Sequence, residues 1–208
     1  MPRIVDHDQR RLDVVEAAWR VIERVGVEKA TLRDIAAEMG LSIGSVTHYF
    51  VTKDDLIGYA FQRVSEIAFA SIEKAVVGAE PGLPRLMLSL ERMLPAGGRK
   101  AGVLVSLSFW GHAVTSPALG EIHRTAYGRW RGYVKRYMQE AIDLGQLDRS
   151  LDVDIMTAAL VALVDGLLVA YSLEPKRFSK SSPNKVFEAA AERMLGIGSR
   201  QGAKLRSA

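Results

Sequence analysis

Apolar residues return every three or four positions along almost the whole chain, and strand-like alternation is absent, so the pattern predicts an all-α protein of about nine helices. Val14, Val15, Ala18, Trp19, Ile22 and Val25 share one face of a first helix over 8–25, which Gly26 closes. A long helix follows later, over 53–77, with Leu56, Ala60, Val64, Ile67 and Phe69 as its expected apolar contacts. Leu83, Leu86, Met87, Leu90, Met93 and Leu94 mark another over 83–94. Further helices are expected over 103–114, 118–144, 153–172 and 184–195. Ser116 with Pro117 caps one of them, and Asp152 caps another. The segments GAEPGLP, PAGGRKAG and EPKRFSKSSPNK read as breaks, and 199–208 as a disordered tail.

The densest local signal is TLRDIAAEMGLSIGSVTHYF, residues 31–50. Thr31 is placed as an N-cap with Asp34 as its acidic partner three residues on. Leu32, Ile35, Ala36 and Met39 form a one-sided stripe, and Gly40 stands where a helix ends in the left-handed conformation. Leu41 is expected to plug the interior beside the turn. Ser42 then caps a short helix whose outward side chains are small or hydrogen-bonding. Two short helices joined in this way form a helix-turn-helix, whose second helix fits the major groove of DNA. Thr52 and Asp55 repeat the cap-and-acid pair, so the long helix begins near Lys53.

The string from Thr31 through "HYF" to "TKDDL" resembles the signature of the TetR family of bacterial transcriptional regulators. The resemblance covers roughly residues 10–60. "ALGEIHRTAYGRWRGYV", "EAIDLGQLD" and "ALVALVDGLLV" look like later helices of that family, while "THYF" and "SFWGHA" look most similar to its BetI-like subgroup. The resemblance implies a helix-turn-helix DNA-binding domain over 1–52 and a helical domain for ligand binding and dimerisation over 53–198. It also implies a homodimer on double-stranded operator DNA and a small-molecule effector of unknown identity; no cofactor is expected, and His112 and His123 are too isolated in sequence to imply a metal.

The expected DNA-contact residues are Thr31, Arg33, Ser42, Ile43, Gly44, Ser45, Thr47, His48, Tyr49 and Lys53. Gly44 allows close approach, Ser45 and Thr47 can donate to bases or phosphates, and Arg33 and Lys53 are placed as phosphate clamps. Ser42 and Thr31 are caps first. Thr47 stands where many family members carry a tyrosine, which removes a tyrosine–phosphate contact at that position. Phe50 is expected in the core. The second helix carries no Arg, Asn or Gln, so bidentate base contacts are scarce, and specificity is expected from small contacts, water and DNA shape.

Charge adds little to this picture. The chain of 208 residues carries a formal net charge of +4, but residues 1–50 hold seven Lys or Arg against eight Asp or Glu. Binding to DNA therefore depends on how charge is placed and not on its total. Zero cysteines exclude disulfides and thiolate metal sites, and fit a reducing, cytoplasmic setting. MPRIVDHDQRR lacks the apolar stretch of a signal peptide. The apolar stretch 155–173 is interrupted by Asp165 and reads as amphipathic, so no membrane partner is expected.

Methionine and aromatic residues gather in the later helices. Met87, Leu90, Phe109, Trp110, Tyr127, Trp130 and Tyr133 are candidates to line an apolar ligand cavity, with ordinary core packing as the alternative for each. His112, His123, Ser106 and Ser108 could add polarity. Asp165 needs a partner if buried, and is expected to be paired at a helix seam. The resemblance implies a dimer seam on the last two helices, with Leu160, Leu163, Leu167, Val186, Phe187 and Ala190 as its apolar surface. No nucleophile triad, carboxylate pair or phosphate loop supports an enzyme, and the polar outer face of the second short helix argues against a protein-binding adaptor.

Overall fold

The computed structural model describes residues 7–94, 100–176 and 183–197. Among them are nine helices and no strand: α1 (His7–Val25), α2 (Leu32–Glu38), α3 (Ile43–Thr47), α4 (Lys53–Val77), α5 (Leu83–Glu91), α6 (Lys100–Ala113), α7 (Pro117–Asp143), α8 (Val153–Leu173) and α9 (Pro183–Met194). The expected elements are present, with two shifts. The helix expected over 83–94 ends at Glu91, because Met93 and Leu94 donate to carbonyls three residues back and tighten the last turn. α6 begins at Lys100, inside the segment expected to be a loop, while 95–99 lie outside the described residues, as does the tail expected over 199–208.

Contacts group the chain into two units, Met1–Ser65 with Gly98–Arg124, and Glu66–Gly97 with Thr125–Ala208. The first holds α1, α2, α3, α6, residues 53–65 of α4 and 117–124 of α7. Its interior starts from α1, whose Val14, Val15, Ala17, Ala18, Trp19, Val21 and Ile22 are all buried. Ile35 and Ala36 of α2, Val46 of α3, and Leu56, Ile57, Ala60 and Phe61 of α4 join them. Each large apolar side chain so buried stabilises the unit by roughly 1.5–3 kcal/mol before entropy is counted. Phe61 stacks on Phe109 of α6, rings parallel within 2° and 3.8 Å apart. Gly58 is required by close packing, since a Cβ there would lie 2.9 Å from Leu119 and 3.1 Å from Ile122.

The second unit is built on α5, α7, α8 and α9 with residues 66–77 of α4. Leu86, Leu90, Trp130, Val134, Met138, Leu147, Leu160, Val164 and Phe187 are its interior. The Trp130 indole is fixed by donating to the Ser89 carbonyl at 3.2 Å. Gly82 begins α5 at φ +83, with its amide donating to Glu140 at 2.8 Å, in a space that a side chain would share with Gln146. Ile67, expected inside, is 49% exposed; on α4 the buried series in this unit runs instead through Phe69, Ile72 and Val76.

α8 is long and apolar enough to cross a membrane by length and composition. In the unit, Leu160, Val161, Val164 and Leu167 of α8 face the interior. Its other face carries an exposed stripe at helical spacing, Ile155, Ala158, Ala162, Gly166, Val169 and Leu173.

Candidate nucleic-acid interface

Local hydrogen bonding sets the position of α3. Thr31 Oγ1 accepts from the Asp34 amide at 3.1 Å, and the Asp34 carboxylate accepts from the Thr31 amide at 3.1 Å and its hydroxyl at 2.6 Å. Those two donors hold the Asp34 carboxyl below its ordinary range. α2 ends in a turn where the Leu41 amide donates to the Ala36 carbonyl at 2.9 Å and Gly40 takes φ +65. Ser42 then caps α3, its Oγ accepting from the Ser45 amide at 3.2 Å. Thr52 and Asp55 make the expected reciprocal pair at the start of α4, at 2.9 and 3.0 Å.

Two buried side chains anchor α3: Val46 within it and Phe50 just beyond, both at 0% exposure. Turned the other way, Ile43, Gly44, Ser45 and His48 are exposed, while Thr47 and Tyr49 are half-buried. A helix held by one apolar face and presenting small side chains on the other can lie close against a flat or grooved partner. Leu41 does not plug the interior as expected; it is 38% exposed.

The polar groups of this surface are less free than the sequence suggests. Ser42 Oγ and Ser45 Oγ are bonded to each other at 2.9 Å. Thr47 Oγ1 donates back to the Ile43 and Gly44 carbonyls at 3.2 and 3.3 Å. Lys53 Nζ donates to the Glu28 carbonyl at 3.0 Å, so part of its hydrogen-bonding capacity closes the turn after α1. Thr31 is taken up by its cap. Arg33 is exposed and makes no hydrogen bond among the described residues.

Three further contacts in this unit were not visible in the sequence. Arg20 and Arg24 of α1 donate to Glu38 of α2 at 2.9 and 3.1 Å, tying the two helices together and holding the Glu38 carboxyl below its ordinary range. The Arg11 guanidinium lies 4.6 Å from the Tyr59 ring centre and 5.3 Å from that of Phe50. His112 of α6 sits with Nδ1 3.4 Å from Asp54 Oδ1 at the head of α4.

The candidate ligand residues divide between the units. Phe109 is buried and stacked on Phe61, and Trp110 is half-buried, both in the first unit. In the second, Leu90, Tyr127 and Trp130 are buried, and Met87 and Tyr133 half-buried. Tyr127 and Trp130 meet edge to face with ring centres 5.5 Å apart. Tyr127 also donates to Asp165 at 2.9 Å, which gives that residue the partner expected of it. Burial pushes the Asp165 carboxyl up to about 6, against the opposing pull of the Tyr127 hydrogen bond and the Arg131 charge. Tyr133 is turned outward, donating to Glu73 of α4 and lying beside Phe69.

The expected seam residues differ in exposure within the second unit. Leu160 and Phe187 are at 0% exposure and Leu167 is buried; Leu163, Val186 and Ala190 are half-buried. The three buried ones pack the unit's own interior, where α9 lies against α8 within the same chain.

Residues 14–60 match the family described as bacterial regulatory proteins, tetR family, and residues 83–196 match the family described as BetI-type transcriptional repressor, C-terminal. The chain is 33% identical over 188 residues to the HTH-type transcriptional regulator PksA of Bacillus subtilis, covering 89% of this chain and 90% of that protein. It is 24% identical over 204 residues to the HTH-type transcriptional regulator BetI of Vibrio vulnificus, covering 97% of this chain and all of that one. A regulator from Saccharomonospora viridis, solved in complex with choline, shares the fold with a TM-score of 0.76 at 24% identity, covering 91% of this chain and 96% of that one.

Helix α2, the Gly40 turn and α3, in a chain matched end to end by regulators, define a helix-turn-helix transcriptional regulator, and the matches set aside the enzyme alternative. The chain belongs to the TetR family.

Proposed function

We propose that this protein is a cytoplasmic repressor that binds a palindromic operator as a homodimer and leaves it when a small-molecule effector binds. Residues 1–52 serve as the DNA module and 53–198 as the effector and dimerisation module. The observation that carries this reading is the placement of α3, anchored by Val46 and Phe50 and outwardly bare at Ile43, Gly44, Ser45 and His48. Its short side chains allow the helix backbone to approach base edges, with Arg33, His48, Tyr49 and the free valences of Lys53 left for phosphates.

One such helix makes few contacts, so two are needed on one duplex. The exposed stripe of α8 supports pairing: Ala158, Ala162 and Gly166 let a second α8 approach closely, flanked by the exposed apolar residues Ile155 and Leu173. The effector reading rests on Tyr127, Trp130 and Asp165, aromatic surface beside a desolvated carboxyl in the second unit. An effector acts by binding one arrangement of the dimer more tightly than the other, a difference of about 1–3 kcal/mol in such systems. Helix α4 is shared by both units and is the element through which such a difference can pass.

Sequencing of duplex fragments selected by the purified protein tests the reading. A motif with two inverted half-sites is expected, lost on addition of the right effector. Choline, bound by the Saccharomonospora neighbour, is a first compound to try. Failure to enrich any motif refutes the reading.

A further inference from the structure

Because the hydroxyls of Ser42, Ser45 and Thr47 are engaged within and around α3, anchoring on a duplex falls to residues that flank it. Three of these form a single patch. The rings of His48 and Tyr49 meet edge to face at 5.1 Å between centres. His7, the first residue of α1, brings its ring to 6.0 Å from His48 and 5.9 Å from Tyr49. His7 and His48 are exposed, and among the described residues none of the three side chains makes a hydrogen bond or ion pair. The interior has no need of them, since Val46 and Phe50 already fill it.

We propose that His7 belongs to the DNA-contact surface, where with His48 and Tyr49 it clamps one phosphate of the operator backbone. The proposal rests on the reading of α3 as the recognition helix and adds to it a residue from a different element. Each imidazole offers one N–H donor when neutral and two when protonated, and the phenol offers its O–H. A phosphodiester is acceptor-only and anionic, so it can satisfy the donors of all three. Other cations nearby on α1 are occupied: Arg10 lies 3.9 Å from Asp13, and Arg11 sits over Phe50 and Tyr59. α3 itself carries no acidic residue that would repel a phosphate. His7 is thus the group of the first turn of α1 that stands beside His48 with its nitrogens available.

The test is equilibrium binding of the full chain to a fluorescent duplex that the protein itself selected, and to a scrambled duplex of the same length. His7→Ala and His48→Ala are each expected to weaken binding about tenfold, and by a similar factor on both duplexes, because a phosphate contact carries no sequence information. His7→Lys is expected to bind at least as tightly as the parent, since it puts a fixed positive charge at the same place. If His48→Ala binds weakly while His7→Ala stays within about twofold of the parent, the clamp is wrong and the α3 reading stands. If His7→Ala weakens the selected duplex alone, the contact is to a base and the phosphate clamp is overturned. A parent chain that selects no duplex overturns both readings together.

Discussion

Tyr127 of α7 donates its phenol hydrogen to Asp165 of α8 at 2.9 Å, and that bond holds a carboxyl that burial has pushed up to about 6. In the unfolded chain the same carboxyl has its ordinary value of 3.8. As the pH rises, the unfolded chain therefore releases this proton first. The stability that Asp165 contributes is complete below the unfolded value and is lost as the pH climbs through the folded one. Asp165→Asn keeps an acceptor for Tyr127 and cannot ionise. It is expected to be more stable than the parent at neutral pH by on the order of 2 kcal/mol, a gap that closes toward about pH 4. Thermal melts of both proteins across that range check this; a gap independent of pH would falsify it.

Thr157 is fully buried on α8, and its Oγ1 has no hydrogen-bond partner among the described residues. A lone hydroxyl out of water is a cost that a methyl of the same shape does not carry. Thr157→Val is expected to raise stability by about 1 kcal/mol, read as a higher midpoint in urea at unchanged slope. An unchanged or lower midpoint means that the hydroxyl is satisfied after all.

Arg129 of α7 reaches two carboxylates of α4, Glu66 at 3.1 Å and Glu73 at 2.9 Å, with its guanidinium carbon 4.4 Å from the centre of the Phe69 ring. The three charged side chains are 41%, 58% and 52% exposed, so salt and water screen the ion pairs. The stack on Phe69 is the sturdier part. Arg129→Lys keeps the charge and loses both the fork and the flat face, and is expected to destabilise by about 0.5–1 kcal/mol. The loss should be nearly the same in low and high salt. A loss that vanishes in high salt places the interaction in the ion pairs instead.

What the sequence revealed follows from how local each signal is. The caps at Thr31, Ser42 and Thr52 act over three residues, and Gly40 acts on one, so the helix-turn-helix could be read almost residue by residue. The bounds of α4 could be read too, because a cap opens it and Gly78 follows its close. Facing was harder. Leu160 reads as a seam residue in a helix apolar on nearly every side, and the packing of α5 and α9 against α8 turns it inward. His7 escaped notice for a similar reason: nothing in the first helix announces that its start lies beside His48, forty-one residues later in the numbering.

That facing leads to a prediction with two arms. The exposed stripe of α8 has Ala162 and Gly166 at its middle, where a second helix would have to pass closest. A bulky charged side chain there leaves the chain's own interior untouched, since both positions are open to solvent. Ala162→Arg and Gly166→Glu are therefore expected to yield folded monomers, seen as halved mass in sedimentation with an unchanged helical spectrum. Operator affinity should fall steeply in both, because two half-sites can no longer be read at once. Leu160→Ala acts on the opposite face, in the unit's interior, and is expected to cost about 2–5 kcal/mol of stability. It should leave the mass of the remaining folded protein unchanged. Dimers that survive both stripe variants, or a Leu160→Ala protein that becomes a stable monomer, would place the seam on the face first expected from the sequence.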